Sequence, residues 1–139
     1  MTHTQTTGSC FCGQVRYAIS GHMGLFQYCH CSRCRKFTGS AHAANLMVAP
    51  DQFEWLAGED LVGRYIPEHT RHFTTSFCQQ CGSSLPWLSK SGKAYLVPCG
   101  TLDDDPGIRP SHSIYWGSRA PWYTHVSELP MFDEIPPTD

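Results

Sequence analysis

At 139 residues the chain suits one domain that buries roughly two-thirds of its unfolded surface. Its formal net charge is −2, charged residues make up 16%, and its longest basic stretch is Arg33-Cys34-Arg35-Lys36. A nucleic-acid partner needs a basic face and is therefore not expected. No run of 18 apolar residues occurs, so no membrane-spanning helix is expected either.

In chain order the elements read mostly as strands. Residues 1–7 form a polar segment with no apolar run after Met1, which predicts no secretory leader and a cytoplasmic protein. Cys10-Phe11-Cys12-Gly13 follows, a C-x-C closed by glycine, and residues 15–19 then alternate apolar and polar as a half-buried strand does. Cys29-His30-Cys31-Ser32-Arg33-Cys34 packs three thiols into six residues. A short helix is predicted over 33–38, with Ser32 as N-cap and Gly39 past its end. That would place the middle cysteines at a helix N-terminus, whose partial positive charge favours thiolate.

Residues 44–48 and 61–66 read as further strands, and 71–77 runs into Cys78-Gln79-Gln80-Cys81-Gly82, a C-x2-C again closed by glycine. Residues 85–88 leave that motif, with Pro86 marking an edge, and 94–99 and 113–116 complete the strand series. Residues 128–139 carry Pro130, Pro136 and Pro137 and cannot hold a ladder. The expected architecture is a mainly β, zinc-ribbon-like domain over 8–127, built of several small antiparallel sheets stapled by zinc, with a proline-rich tail.

Cysteines one residue apart are poorly placed to bridge each other, so the eight thiols suit metal better than a disulfide framework. Structural zinc takes four ligands in a closed tetrahedron, and catalytic zinc takes three and keeps an open position. Cys10, Cys12, Cys78 and Cys81 make two glycine-closed halves of one structural site, where zinc contributes on the order of 10 kcal/mol to folding. Cys29, Cys31 and Cys34 leave two readings. An open zinc would carry a net negative charge that Arg33, Arg35 and Lys36 can offset. A closed one would recruit Cys99, His30, His42 or another histidine as fourth ligand. Cys99 alone in its apolar run reads as a small core residue. His3, His22 and His125 are scattered and suggest no role, and Trp87, Trp116, Trp122 and Tyr123 read as core or rim.

Four motifs in order carry a resemblance: G-x-C-x-C-G-x-V-x-Y from Gly8 to Tyr17, C-H-C-x2-C-R-K-x-x-G-S from Cys29 to Ser40, F-C-x2-C-G-S from Phe77 to Ser83, and G-T-L-D-D from Gly100 to Asp104. Together they resemble the glutathione-dependent formaldehyde-activating enzyme family, which includes centromere protein V, over residues 8 to about 122. The resemblance implies a zinc-containing, mainly β fold with two zinc ions per chain. It would assign Cys10, Cys12, Cys78 and Cys81 to a structural zinc, and Cys29, Cys31 and Cys34 to a catalytic zinc with an exchangeable fourth ligand.

The implied activity is that of a carbon–sulfur lyase condensing glutathione, or another small thiol, with formaldehyde. The chain is shorter than the namesake, so segments that grip glutathione there are not all expected here. His30, Arg35, Lys36, Ser40 and Asp103 are the candidates for proton donor or substrate clamp. Two alternatives stay open: an open zinc that drives hydrolysis of another small electrophile, and a non-catalytic zinc module that binds a protein partner. An interaction module has no need of an exchangeable ligand.

Overall fold

Tyr17 lies at the meeting point of two sheets, and the surrounding elements can be placed from it. A computed structural model describes residues 5–137. Its regular elements run β1 (Gln5–Ser9), β2 (Arg16–Ser20), β3 (Leu25–Cys29), α1 (Ser32–Thr38), β4 (Ala43–Val48), β5 (Phe53–Ala57), β6 (Val62–Tyr65), β7 (Thr75–Cys78), β8 (Ser84–Leu85), β9 (Trp87–Leu88), β10 (Tyr95–Pro98) and β11 (Ser113–Ile114). They form three small sheets, ordered β1-β2-β5, β11-β3-β4-β10-β9 and β6-β7-β8. The mainly β architecture of several small sheets is the expected one. Every pairing is antiparallel except β11 on β3, which is parallel.

The Tyr17 ring is fully buried, stacks on Phe53 at 5.5 Å and meets Trp55 edge-on at 6.3 Å. Its hydroxyl pairs with Thr101 Oγ1 at 2.6 Å, which satisfies the one polar atom it carries inward. Gly8 lies opposite Tyr17 in the β1–β2 ladder, and a Cβ there would come within 2.2 Å of the ring, so only glycine fits. Ile19, Met23, Leu46, Val48 and Val97 complete this core, with Phe26, Phe53 and Tyr95 packed around it. Burying each such aliphatic side chain contributes about 1.5–3 kcal/mol. One face of the five-stranded sheet thus meets the β1-β2-β5 sheet, while α1 packs on β4.

Three strands went unforeseen from the sequence, each for a physical reason. β1 is polar, yet it pairs with β2 over five positions, and the Asp104 carboxylate accepts from both the Thr7 amide and hydroxyl at 2.9 Å. The chain boundary expected at Gly8 therefore falls inside a strand. Residues 1–4 of the expected polar segment and 138–139 of the expected tail lie outside the described residues. β3 lies inside the five-stranded sheet with partners on both sides, which blurs the alternation expected of a strand with one solvated face. β5 follows a 3-10 turn over Pro50–Gln52 that hides its start.

Other boundaries moved less. The strand expected over 71–77 begins only at Thr75, and Pro86 divides the one expected over 85–88 into β8 and β9. Among the described residues after the 3-10 turn Val126–Glu128 there is no strand, and Leu129, Met131, Phe132 and Ile135 are 50–76% exposed. Among the described residues no helix is long and apolar enough to cross a membrane.

Candidate metal centre

The C-x-C and C-x2-C motifs fold into two matching knuckles. Gly13 donates its N–H to Cys10 O at 3.0 Å and Gly82 donates to Cys78 O at 2.8 Å. Both glycines have φ +80°, the left-handed conformation that side-chain-bearing residues resist, so glycine is required by the turn rather than by space. The knuckles face each other: Ser83 Oγ accepts the Phe11 N–H at 2.9 Å and lies 3.3 Å from Cys81 Sγ. The sulfurs of Cys10, Cys12, Cys78 and Cys81 all lie within 4.8 Å of one another.

Cys10 Sγ is 3.5 Å from Cys12 Sγ, and Cys12 Sγ is 3.9 Å from Cys78 Sγ. A tetrahedral zinc with 2.3 Å bonds would space its sulfurs about 3.8 Å apart, so the donor set fits that ion. The knuckle amides prepare the sulfurs for it. Burial pushes the Cys10 thiol up, but the Val15 N–H, donating at 3.3 Å, and then Cys12 and Cys78 outweigh it and leave the group below its ordinary value. The Ser83 hydroxyl and amide hold Cys81 down to about 5. Cys12 is pushed up to about 12: the Gln14 amide favours its thiolate, but desolvation and the crowding of Cys10, Cys81 and Cys78 prevail. Four thiolates this close repel one another, and a cation among them would relieve that repulsion.

The second cluster is local. Cys29 ends β3, Cys31 caps α1, and Cys34 sits in its first turn, with the three sulfurs within 4.8 Å of one another. Cys31, not the expected Ser32, is the N-cap: its backbone is extended at φ −67°, ψ 157°, and its sulfur accepts the Cys34 N–H at 3.4 Å. A soft thiolate therefore takes the capping role usually given to a hydroxyl or carboxylate. Cys29 and Cys34 hydrogen-bond to Cys31 and pull its thiol far down, to about 2, while the same contacts, with burial added, push Cys34 well above its ordinary range. One negative charge is easily placed here and three are not, which suits a site completed by a cation. No fourth His, Cys, Asp or Glu joins the three among the described residues.

The possible fourth ligands lie elsewhere. Cys99 packs against the Tyr17 core, donates weakly to Val97 O at 3.6 Å and is pushed up to about 12 by burial, as a small core thiol would be. His42 turns its Nδ1 to Ala43 O at 3.1 Å and stacks on Tyr28. All eight cysteines are free thiols.

The remaining candidates are scattered. Arg35 follows Cys34 on α1 and is half-buried, with its Nε buried and unpartnered. Lys36 and Ser40 are exposed at the far end of the same helix, Ser40 donating its amide to Thr38 Oγ1 at 3.2 Å. Asp103 is occupied with β1, accepting from Ser9 Oγ at 2.8 Å and donating its amide to Thr7 O. His30 is 1% exposed, and burial, followed by the nearby charges of His42 and Arg119, lowers its pKa, so the ring is neutral near pH 7. Extended backbone alternates sides, so His30 leaves the chain opposite Cys29 and Cys31 and does not share their cluster.

Sequence reading missed what receives His30. Its ring lies among His42 at 4.9 Å, Trp116 at 5.0 Å and Tyr123 at 5.3 Å, and His125 lies 5.4 Å from Tyr123. One local signal existed: Phe26, Tyr28 and His30 share a parity opposite to Cys29 and Cys31. The partners from 116–125 leave no such trace in the sequence.

Three comparisons bear on this arrangement. The family model described as glutathione-dependent formaldehyde-activating enzyme matches residues 5–118. A protein of Halomonas elongata, provisionally named a glutathione-dependent formaldehyde-activating enzyme, is 34% identical over 118 residues, covering 78% of this chain and 71% of that protein. The crystal structure of a Rhodobacter sphaeroides protein superposes with a TM-score of 0.57 at 22% identity, over 77% of this chain and 98% of that one, which supports the fold alone.

Proposed function

The chain belongs to the glutathione-dependent formaldehyde-activating enzyme family, and from that membership we propose that it is a zinc enzyme of the carbon–sulfur lyase class that joins a small, carboxylate-bearing thiol such as glutathione to formaldehyde. The observation that carries this reading is the three-sulfur cluster of Cys29, Cys31 and Cys34, which has three soft donors and no fourth protein ligand among the described residues. When bound there, zinc supplies an open position at which a thiol loses its proton near neutral pH.

In the reaction the thiol sulfur forms a bond to the carbonyl carbon, the C=O π pair moves to oxygen, and that oxygen takes up a proton. No electrons are gained or lost overall, and the proton the thiol gave up balances the one the product hydroxyl receives. The chain's own task is to orient two small molecules and move that proton.

Arg35 is suited to the first part. A half-buried guanidinium with an unpartnered Nε calls for an anion, and a substrate carboxylate would supply it through a charge-assisted hydrogen bond. Exposed Lys36, on the same helix, is our choice for relaying the proton to the new hydroxyl. His30 is not assigned that role, because its ring is buried among other rings and lies outside the sulfur cluster. Cys10, Cys12, Cys78 and Cys81 are assigned a structural zinc, giving two zinc ions per chain. Eight cysteines with no disulfide among them suit a reducing compartment, which favours the cytoplasm.

Cobalt substitution tests the reading directly, because each sulfur ligand adds to the thiolate-to-metal charge-transfer band. Titrating glutathione should intensify the band in the wild type and leave Cys31→Ser unchanged, with formaldehyde consumption followed in parallel. No spectral response to glutathione or to any other thiol would overturn the proposal. Thiol-independent ester hydrolysis by the zinc-loaded chain would move the site to a water-activating role.

A further inference from the structure

We propose that Trp116, Tyr123 and His42 form an aromatic clasp on the buried His30 ring that fixes the Cys29-His30-Cys31 turn in its ligand-presenting shape, which makes Trp116 and Tyr123 positioning residues for the three-sulfur site. The inference rests on reading that site as a metal centre.

Of the three donors, two are fixed by α1. Cys34 lies in its first turn and Cys31 is its cap. Cys29 is outside the helix, held by its ladder pairs with Ala43 and Ile114, and the one residue that joins it to Cys31 sets how the two sulfurs converge. That residue is His30, held from two directions. Its backbone N–H donates to Ile114 O at 3.0 Å, and β11 pairs Ile114 with Cys29 itself. Its ring meets Trp116 at 83° and Tyr123 at 85°, while Trp116 and Tyr123 meet each other at 86° and 5.5 Å. Three mutually edge-to-face rings interlock in a way that a single stacked pair does not.

His42 closes the remaining side. It lies one step beyond the Cys29–Ala43 pair of the β3–β4 ladder, tilted 50° to His30 and stacked on Tyr28 at 4.2 Å. Outside, the Arg119 guanidinium covers the Trp116 ring at 4.5 Å. His30 Nδ1 is buried without a partner, so the imidazole serves this box by its shape rather than by hydrogen bonding at that atom. With His30 clamped on one face of the strand, alternation delivers the Cys29 and Cys31 sulfurs to the other face already converged. A preorganised donor set holds its metal longer than one that must be assembled, and residues that orient metal ligands commonly change affinity by 10- to 100-fold when removed.

The test uses the full chain loaded with cobalt and challenged with excess chelator, following the decay of the charge-transfer band. Two release phases are expected in the wild type, and the one missing from Cys31→Ser belongs to the three-sulfur site. Tyr123→Ala and Trp116→Ala should speed that phase about tenfold or more while the other phase keeps its rate, and Tyr123→Phe should restore wild-type release because the ring and not the hydroxyl forms the clasp. Should Tyr123→Ala fail to fold, Trp116→Leu at the more exposed wall of the box makes the same measurement. An unchanged three-sulfur phase in a chain that binds two metals would overturn the clasp alone, as would equal acceleration of both phases. A wild type with no phase dependent on Cys31 would overturn the metal-centre reading beneath it.

Discussion

The four-sulfur and three-sulfur clusters use the chain in opposite ways. The first draws its donors from two knuckles, with Cys12 and Cys78 separated by 66 positions, and so ties the β1-β2-β5 sheet to the β6-β7-β8 sheet. The second takes every donor from residues 29–34 and closes no long loop. Around the first, the apolar core is thin: Cys10, Val15, Cys78 and Leu85 are its buried members, so two of the four are themselves sulfur donors. The second sits between α1 and a sheet whose opposite face is already filled by the Tyr17 core. The difference teaches where a metal could substitute for hydrophobic packing and where packing already holds the donors in place.

The largest expected effect breaks the first cluster. Cys78→Ser should leave a chain that is unfolded or aggregated at room temperature by far-UV circular dichroism, since a structural zinc contributes on the order of 10 kcal/mol and typical domains have little more in total. Cys31→Ser should instead keep a native-like spectrum, lose one of two metals by elemental analysis and lose its response to thiols. Equal collapse of both variants would erase the contrast between the clusters.

A milder change sharpens the contrast within the second site. Arg35→Ala should leave both metals in place and raise the glutathione concentration needed for half of the cobalt band change by about tenfold, the loss of one charge-assisted contact. An unaltered titration would remove Arg35 from the substrate site.

The smallest effect concerns the strand that carries the first knuckle. Hydrogen bonds from the Thr7 amide and then the Thr7 hydroxyl hold the Asp104 carboxyl below its ordinary value of 3.8. A carboxyl depressed in the folded state stabilises above its unfolded pKa, and that stabilisation is lost as pH falls through the folded value. Asp104→Asn should therefore lower the urea midpoint slightly at pH 6, and the difference from wild type should close below about pH 3.8. A difference that persisted in acid would mean that packing, not the carboxylate, ties β1 down.

Much of the site was legible before any fold was known, because C-x-C-G and C-x2-C-G fix their own turns. Gly13 and Gly82 mark left-handed positions, and two sulfurs so closed can only point together. The short helix after Cys31 was legible for similar reasons, missing its cap by one residue because a cysteine sulfur took the role expected of Ser32. β1 was not legible. Its residues are polar, and beyond its ladder with β2 it is held by Asp103 and Asp104, more than 90 positions away.

The sequence by itself determined the donor chemistry: which thiols stand close enough to share an ion, and which pairs end in a glycine that permits the knuckle. Those are short-range matters, decided by backbone sterics over a few residues. Only the tertiary structure decided that Cys10 and Cys12 meet Cys78 and Cys81, that Asp103 reaches back to bond β1, and that the His30 ring lies in a box of rings. Convergence of this kind depends on packing between segments far apart in the chain, and local spacing carries no record of which surfaces will bury each other.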